Sequence, residues 1–391
     1  MKSGTSTIDL FSDDVLNDPF AAYGDLRKTA GAVWLERHGM WAISRHADVM
    51  AVLQDHDGFS SASGVAFNSV INDMAGSTLT TDRPLHTALR ELVTEQLKPA
   101  ALIKLREKID AEAALVVERL VAKRSFDAVT ELAWHLPLSV VTDLVGVPRD
   151  MGKAMIALAE NIADAFGPDD NLRTAKGLEA MAAAGDMLDR LNDPANLRPG
   201  SMSMAIWEAA ERGTIEKWRA PLLMNDYIGP SLDTTISAIG SAIWLFAENP
   251  AEWDKLRADP KRVMSAIDEV IRLESPVQAF TRVALSDQVI DNVRIPAGDR
   301  VIAIYASANR DERKWHGPDE MDINRKGIVG HLGFGAGIHS CPGRNLARTE
   351  IAALLQALAT KVARFHVRES KRRISNVMRG FSNLEVEVEP A

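Results

Sequence analysis

Between residues 86 and 275 apolar side chains return every three or four positions with charged residues between them, the period of helices buried on one face. The pattern predicts helices over 97–120, 132–145, 154–166, 178–191, 215–247 and 260–273, and again over 344–358. Gly167-Pro168-Asp169-Asp170, Asn192-Asp193-Pro194 and Asn249-Pro250 punctuate it, as turn-forming residues do. Alternation with period two is rarer. It predicts a short strand at 40–44 beside Gly39, and paired strands over 283–295 and 300–305 around Pro296-Ala297-Gly298. At the C-terminal end, residues 384–389 alternate strictly and read as an edge strand. The expectation is a mainly α fold with a minor β-sheet region, forming a single domain over 1–391.

Composition narrows the function classes. Hydrophobic residues make up 46% of the 391, enough for a sizeable core, and the formal net charge of −9 makes nucleic acid an unexpected partner. One cysteine excludes an internal disulfide framework and every multi-cysteine zinc or iron–sulfur site. Residues 1–26 are mixed and acidic with no apolar core of a signal peptide, and no apolar run is long enough for a bilayer. The sequence therefore predicts a soluble, cytoplasmic protein with no membrane contact.

That single cysteine, Cys341, lies in Phe334-Gly335-Ala336-Gly337-Ile338-His339-Ser340-Cys341-Pro342-Gly343. Its glycines allow positive φ and close backbone approach to something flat or bulky. The helix expected to follow places the sulfur near a helix N-terminus, where partial positive charge favours a thiolate. Three further groupings stand out. His86 and Arg90 share one helical face, and Glu269 and Arg272 share another. Asp233 and Thr234 stand in Gly229-Pro230-Ser231-Leu232-Asp233-Thr234-Thr235 on the longest expected helix.

The loop resembles the haem-thiolate loop of the cytochrome P-450 family, matching its Phe-x-x-Gly-x-His-x-Cys-x-Gly pattern, and the resemblance extends over nearly the whole chain. It implies the cytochrome P-450 fold, haem b as cofactor and Cys341 as the axial iron ligand, with Phe334 in the loop beside it. A thiolate ligand favours oxygen activation over oxygen carriage. The resemblance implies that His86, Arg90, Arg282 and His339 hold the haem propionates. It makes Glu269 and Arg272 a structural pair. Asp233 and Thr234 become the acid and alcohol that deliver protons to dioxygen. Pro230 and Ser231 depart from the family's alanine and glycine, and Pro230 is expected to kink the helix by removing an N–H.

By the same resemblance, apolar residues of three segments wall the substrate cavity. These are Val65, Phe67 and Val70 (with Ile71 and Met74) in 62–79, the helix start at 226–230, and Val277, Ala279 and Phe280. Phe166 and Phe381 are placed to close it. Glu274-Ser275-Pro276-Val277-Gln278 and Gly330-His331-Leu332-Gly333-Phe334 look like a soluble bacterial branch that oxidises para-substituted benzoates. Residues 62–79 contain no Lys or Arg, however, while Asp73 and Asp226 would repel an anion. The expected substrate is therefore a neutral aromatic or terpenoid, hydroxylated or O-demethylated. Oxidation of an aromatic carboxylic acid, a peroxide-driven peroxygenase and a non-enzymatic haem sensor are the alternatives.

With no dinucleotide-binding turn and no four-cysteine cluster, electrons are expected from a separate ferredoxin fed by an NAD(P)H-dependent reductase. Lys98, Lys104, Arg106, Lys108, Arg344 and Arg348 are the expected basic docking patch.

Overall fold

The computed structural model describes residues 4–74 and 76–391, and the side chains of Gln96, Pro99, Lys104 and Arg149 lie outside the description. Helices form most of the molecule, around one long helix, Arg219–Glu248, most of whose residues are buried. Its apolar side chains pack with those of Pro99–Lys123, His135–Val145, Val263–Glu274 and Arg344–Lys361 in one large hydrophobic cluster. A six-stranded sheet runs in the order Thr5–Ser6, Ala32–Leu35, Met40–Ile43, Arg300–Ile304, Ala279–Ala284, Phe59–Ser60. A three-stranded sheet joins Val362–Ile374, Arg379–Pro390 and Ser125–Asp127.

Several expectations change in detail. The helix expected over 178–191 is two, Leu172–Ala183 and Gly185–Asn192, because the apolar period runs on across a break at Ala184. The segment 283–295 is no single strand. Ala279–Ala284 pairs antiparallel with Arg300–Ile304, while Gln288–Ile290 and Val293–Ile295 form their own hairpin. Asp291 and Asn292 carry that hairpin's turn at φ 48° and 61°, the left-handed values a tight hairpin needs. The strand read as an edge is central: Arg379–Pro390 pairs with Val362–Ile374 on one side and, at Glu385–Glu387, with Ser125–Asp127 on the other. The long helix runs uninterrupted through Pro230. Among the described residues no helix is long and apolar enough to cross a membrane.

Candidate active site

The Cys341 loop is held between two helices. Gly335 and Gly337 adopt φ 65° and 68°, and a side chain on Gly337 would meet the Leu53 carbonyl oxygen at 2.2 Å, so only glycine fits. The Cys341 amide donates to the Phe334 carbonyl at 2.8 Å, closing the loop, and Arg344–Lys361 begins three residues later. Cys341 opens into a cavity rather than to bulk solvent. Burial pushes its thiol up, while backbone amides of Gly343 and Arg344 and the guanidinium of Arg90 pull it down. Those amides are aimed where a thiolate's charge would sit.

Arg90, Arg282, His339, Phe334 and Cys341 line this one cavity, and Thr234, Val277 and Phe280 line it too. His86 stands behind His339 with ring centroids 4.3 Å apart. The Nε2 atoms of both histidines are buried without a hydrogen-bond partner among the described residues. Burial, reinforced by neighbouring arginines, lowers His86 to about 4 and His339 to about 3. Two orphaned imidazole nitrogens beside two arginines form a cradle lacking its anion. Haem propionates would supply that charge, and Cys341 a ligand for the iron, so the residues fit haem b.

The long helix contributes a stripe at four-residue spacing: Asp226, Pro230, Thr234 and Ala238 all face the cavity. Thr234 Oγ1 donates to the Pro230 carbonyl at 2.5 Å. Asp233 lies on the other side of the helix, held by Arg373. Asp226 Oδ2 accepts from the Thr78 amide at 2.8 Å and the Thr78 hydroxyl at 2.6 Å. Burial pushes the Asp226 carboxyl up, against the Thr78 and Ser77 donors and Arg90. Glu350, under the loop, also lines the cavity. Its Oε1 has no partner among the described residues, and burial raises it well above the usual carboxylate range.

Eight of the expected substrate residues do not reach the cavity lining, among them Ile71, buried in a small core cluster, and Met74, which is exposed. Phe67 packs against Phe11, ring centroids 4.7 Å apart, and Ala279 joins the same cluster. Val65 is fully buried under the sheet edge, its carbonyl accepting from Thr281. Val70 is exposed. Phe166 stands one ring back, 6.0 Å from Phe280. Phe381 packs against Trp244 and carries the Arg372 guanidinium 3.9 Å over its ring. In each case the apolar side chain is taken by core packing or left on the surface. Asp73 is exposed and absent from the lining, so Asp226 is the carboxylate that matters there.

Glu269 and Arg272 are fully buried and paired at 2.8 Å. Arg325, which the sequence did not suggest, donates to both Glu269 oxygens at 2.9 and 3.1 Å. Arg373 was missed as well. It is adjacent to Arg372 on one strand, yet Arg372 serves Glu274 and Arg373 serves Asp233. The expected basic patch is largely neutralised. Lys98 pairs with Glu95, Arg106 with Asp110, Lys108 with Glu112 and Asp143, and Arg348 with Asp268. Arg344 is exposed, and the Lys104 side chain lies outside the described residues.

The family model for cytochrome P-450 matches residues 222–387. A cytochrome P-450 of Rhodopseudomonas palustris, CYP199A2, is 34% identical over 390 residues, covering 98% of this chain and 94% of that one. The chain belongs to the cytochrome P-450 family. Linalool 8-monooxygenase of Pseudomonas putida is 30% identical with 98% of each chain covered. Among solved structures, CYP109E1 of Bacillus megaterium in complex with testosterone superposes with a TM-score of 0.85 at 26% identity, over 96% of this chain and 99% of that one. CYP109Q5 of Chondromyces apiculatus gives 0.79 at 27% identity over the full length of both. Cytochromes P-450 bind haem b through a cysteine thiolate, and Cys341 is the one cysteine here. The protein is thus a haem-dependent monooxygenase, an oxidoreductase; when bound, the haem supplies the reduction of dioxygen and the insertion of one oxygen atom.

Proposed function

We propose that this cytochrome P-450 acts as a single-domain monooxygenase on a compact, uncharged aromatic or terpenoid substrate, by hydroxylation or O-demethylation. One observation carries the reading. The cavity's two arginines, Arg90 and Arg282, stand with the histidine pair and bond the Ser340 and Thr281 carbonyls, while the long-helix wall offers the carboxyl of Asp226. A carboxylate substrate would meet repulsion there instead of a cation. The relative named linalool 8-monooxygenase supports the neutral class.

Within this reading each side chain has a task. Thr234 commits its hydroxyl proton to the Pro230 carbonyl, so its oxygen offers lone pairs to the cavity and receives a proton-bearing group. Asp233 holds a carboxylate one residue away for relaying protons from the Arg373 side. Val277 and Phe280 supply apolar wall and exclude water. His86, Arg90, Arg282 and His339 bind the propionates. Electrons come from a separate ferredoxin and its NAD(P)H-dependent reductase, docking near the exposed Arg344.

The test is an optical titration of the ferric holoprotein with matched pairs of neutral methoxy- or alkyl-aromatics, monoterpenes and their carboxylic acid counterparts. A high-spin shift with neutral members, at affinities at least about tenfold above the acids, is expected for a difference of ~1.4 kcal/mol. Tighter binding of the acids would overturn the reading.

A further inference from the structure

Asp226 is a residue whose structural duty explains only half of it. Its Oδ2 ties the loop around Thr78 to the long helix through two hydrogen bonds. The Ser77 hydroxyl is a further donor to the carboxylate, which still has acceptor capacity to spare. No lysine or arginine forms an ion pair with it among the described residues. An asparagine carbonyl would tie the loop as well, without the several kcal/mol that burying an unpaired carboxylate costs.

The backbone at the same residue adds a second acceptor. In a regular helix the Asp226 carbonyl would receive the N–H of residue 230, and that residue is proline. Asp226 and Pro230 both line the cavity. One helical position therefore gathers a carboxylate with acceptor capacity beyond its Thr78 and Ser77 donors and a main-chain carbonyl deprived of its usual donor. Acceptors left open on a cavity wall are met by donors, and the cavity's contents are the remaining source.

We infer that Asp226, with its main-chain carbonyl freed by Pro230, is the specificity anchor of the substrate cavity and binds a hydrogen-bond donor, a hydroxyl group, on an otherwise apolar substrate. The inference rests on the monooxygenase reading above and refines it. Asp226 lies eight residues, about 12 Å of helix, before Thr234. A substrate held by its donor is thus oxidised toward its opposite end. An ether or hydrocarbon of the same shape fills the cavity but leaves the acceptors unmet, and sites of that kind reject the analogue lacking the donor.

The experiment titrates ferric holoprotein with cuminyl alcohol, its methyl ether and cuminylamine, reading the spin-state shift and, independently, calorimetric heats. Wild type is expected to bind the alcohol about tenfold tighter than the ether, one hydrogen bond's difference. Asp226→Leu removes the carboxyl and keeps the main-chain carbonyl, so that ratio should fall severalfold toward one. Asp226→Asn, which keeps the Thr78 bonds, should retain the alcohol preference and weaken the amine about tenfold; it also serves if the leucine variant fails to take up haem. Equal affinities of alcohol and ether in the wild type, or a ratio unmoved in Asp226→Leu, would overturn the anchor while leaving the monooxygenase reading intact. No response to any of the three, in protein carrying a full complement of haem, would count against that reading and the anchor together.

Discussion

Asp233 turns away from the cavity that its neighbour Thr234 lines, and both its carboxylate oxygens are held by Arg373, at 2.8 and 2.7 Å. Arg373 also reaches Glu160 at 3.3 Å, so one guanidinium joins the long helix, a β-strand and the helix Gly152–Ala165. A proton entering by Asp233 must pass this clamp. Asp233→Asn is expected to slow substrate-dependent turnover by about 100-fold, the scale of a lost proton-transfer group, with unchanged ligand titrations. Arg373→Gln leaves a buried carboxylate unpaired and should cost about 3–5 kcal/mol in urea melts. Combining the two substitutions should recover much of that loss, because neither partner is then left charged and alone.

A second test concerns the base of the fold. Glu269 is fully buried and takes Arg272, Arg325 and the Asp322 amide. Arg272 in turn donates to the Asn309 and Pro318 carbonyls, tying its helix to the chain before the cysteine loop. Glu269→Gln is expected to destabilise by about 3–5 kcal/mol. The loss should appear as lowered haem retention and an earlier thermal transition, with ligand selectivity unchanged in the protein that folds.

The cluster around Glu274 makes the fold acid-sensitive. Burial alone would raise this carboxyl, but Arg379, Arg372 and Arg310 outweigh it and hold it below its ordinary 4.5. A depressed acid contributes stability above its unfolded pKa and loses it as pH falls through the folded value. The difference in unfolding free energy between wild type and Glu274→Gln should therefore be full above about pH 4.5 and shrink on acidification. Urea melts across pH 3.5 to 7 check the sign; a gap that widens toward acid would contradict it.

Much of the site was legible because its parts are local in sequence. The cysteine loop, the His86–Arg90 face and the Glu269–Arg272 pair are each written within ten residues. What the sequence left open depends on which apolar face meets which neighbour. Phe67 and Phe381 look like cavity walls until Phe11 and Trp244 claim them. Arg373 and Arg325 meet their acids across 140 and 56 residues, and no local pattern signals either pairing. The strand 384–389 misled for a different reason. Alternation reports which face of a sheet is buried, whereas an edge is defined by whether backbone groups have partners on both sides.

Pro230 gives a further prediction. It stands inside the long helix, which extends on both sides of it. The missing N–H and the ring's crowding of the Asp226 carbonyl remain, and an internal proline costs about 3 kcal/mol. Pro230→Ala is expected to raise the melting temperature and to restore the donor to the Asp226 carbonyl. Hydrogen exchange should then show a new, protected amide at residue 230, where the proline has none.

The most direct measurement is turnover under isotopically labelled dioxygen, with the holoprotein, a ferredoxin, its reductase and NAD(P)H, using a neutral substrate chosen by titration. For a substrate hydroxylated on carbon, the expected result is one labelled oxygen atom per product molecule and one NAD(P)H consumed for each product formed. Product formed only with added peroxide, or hydroxylated product free of label, would contradict the proposal that this chain is a ferredoxin-driven monooxygenase.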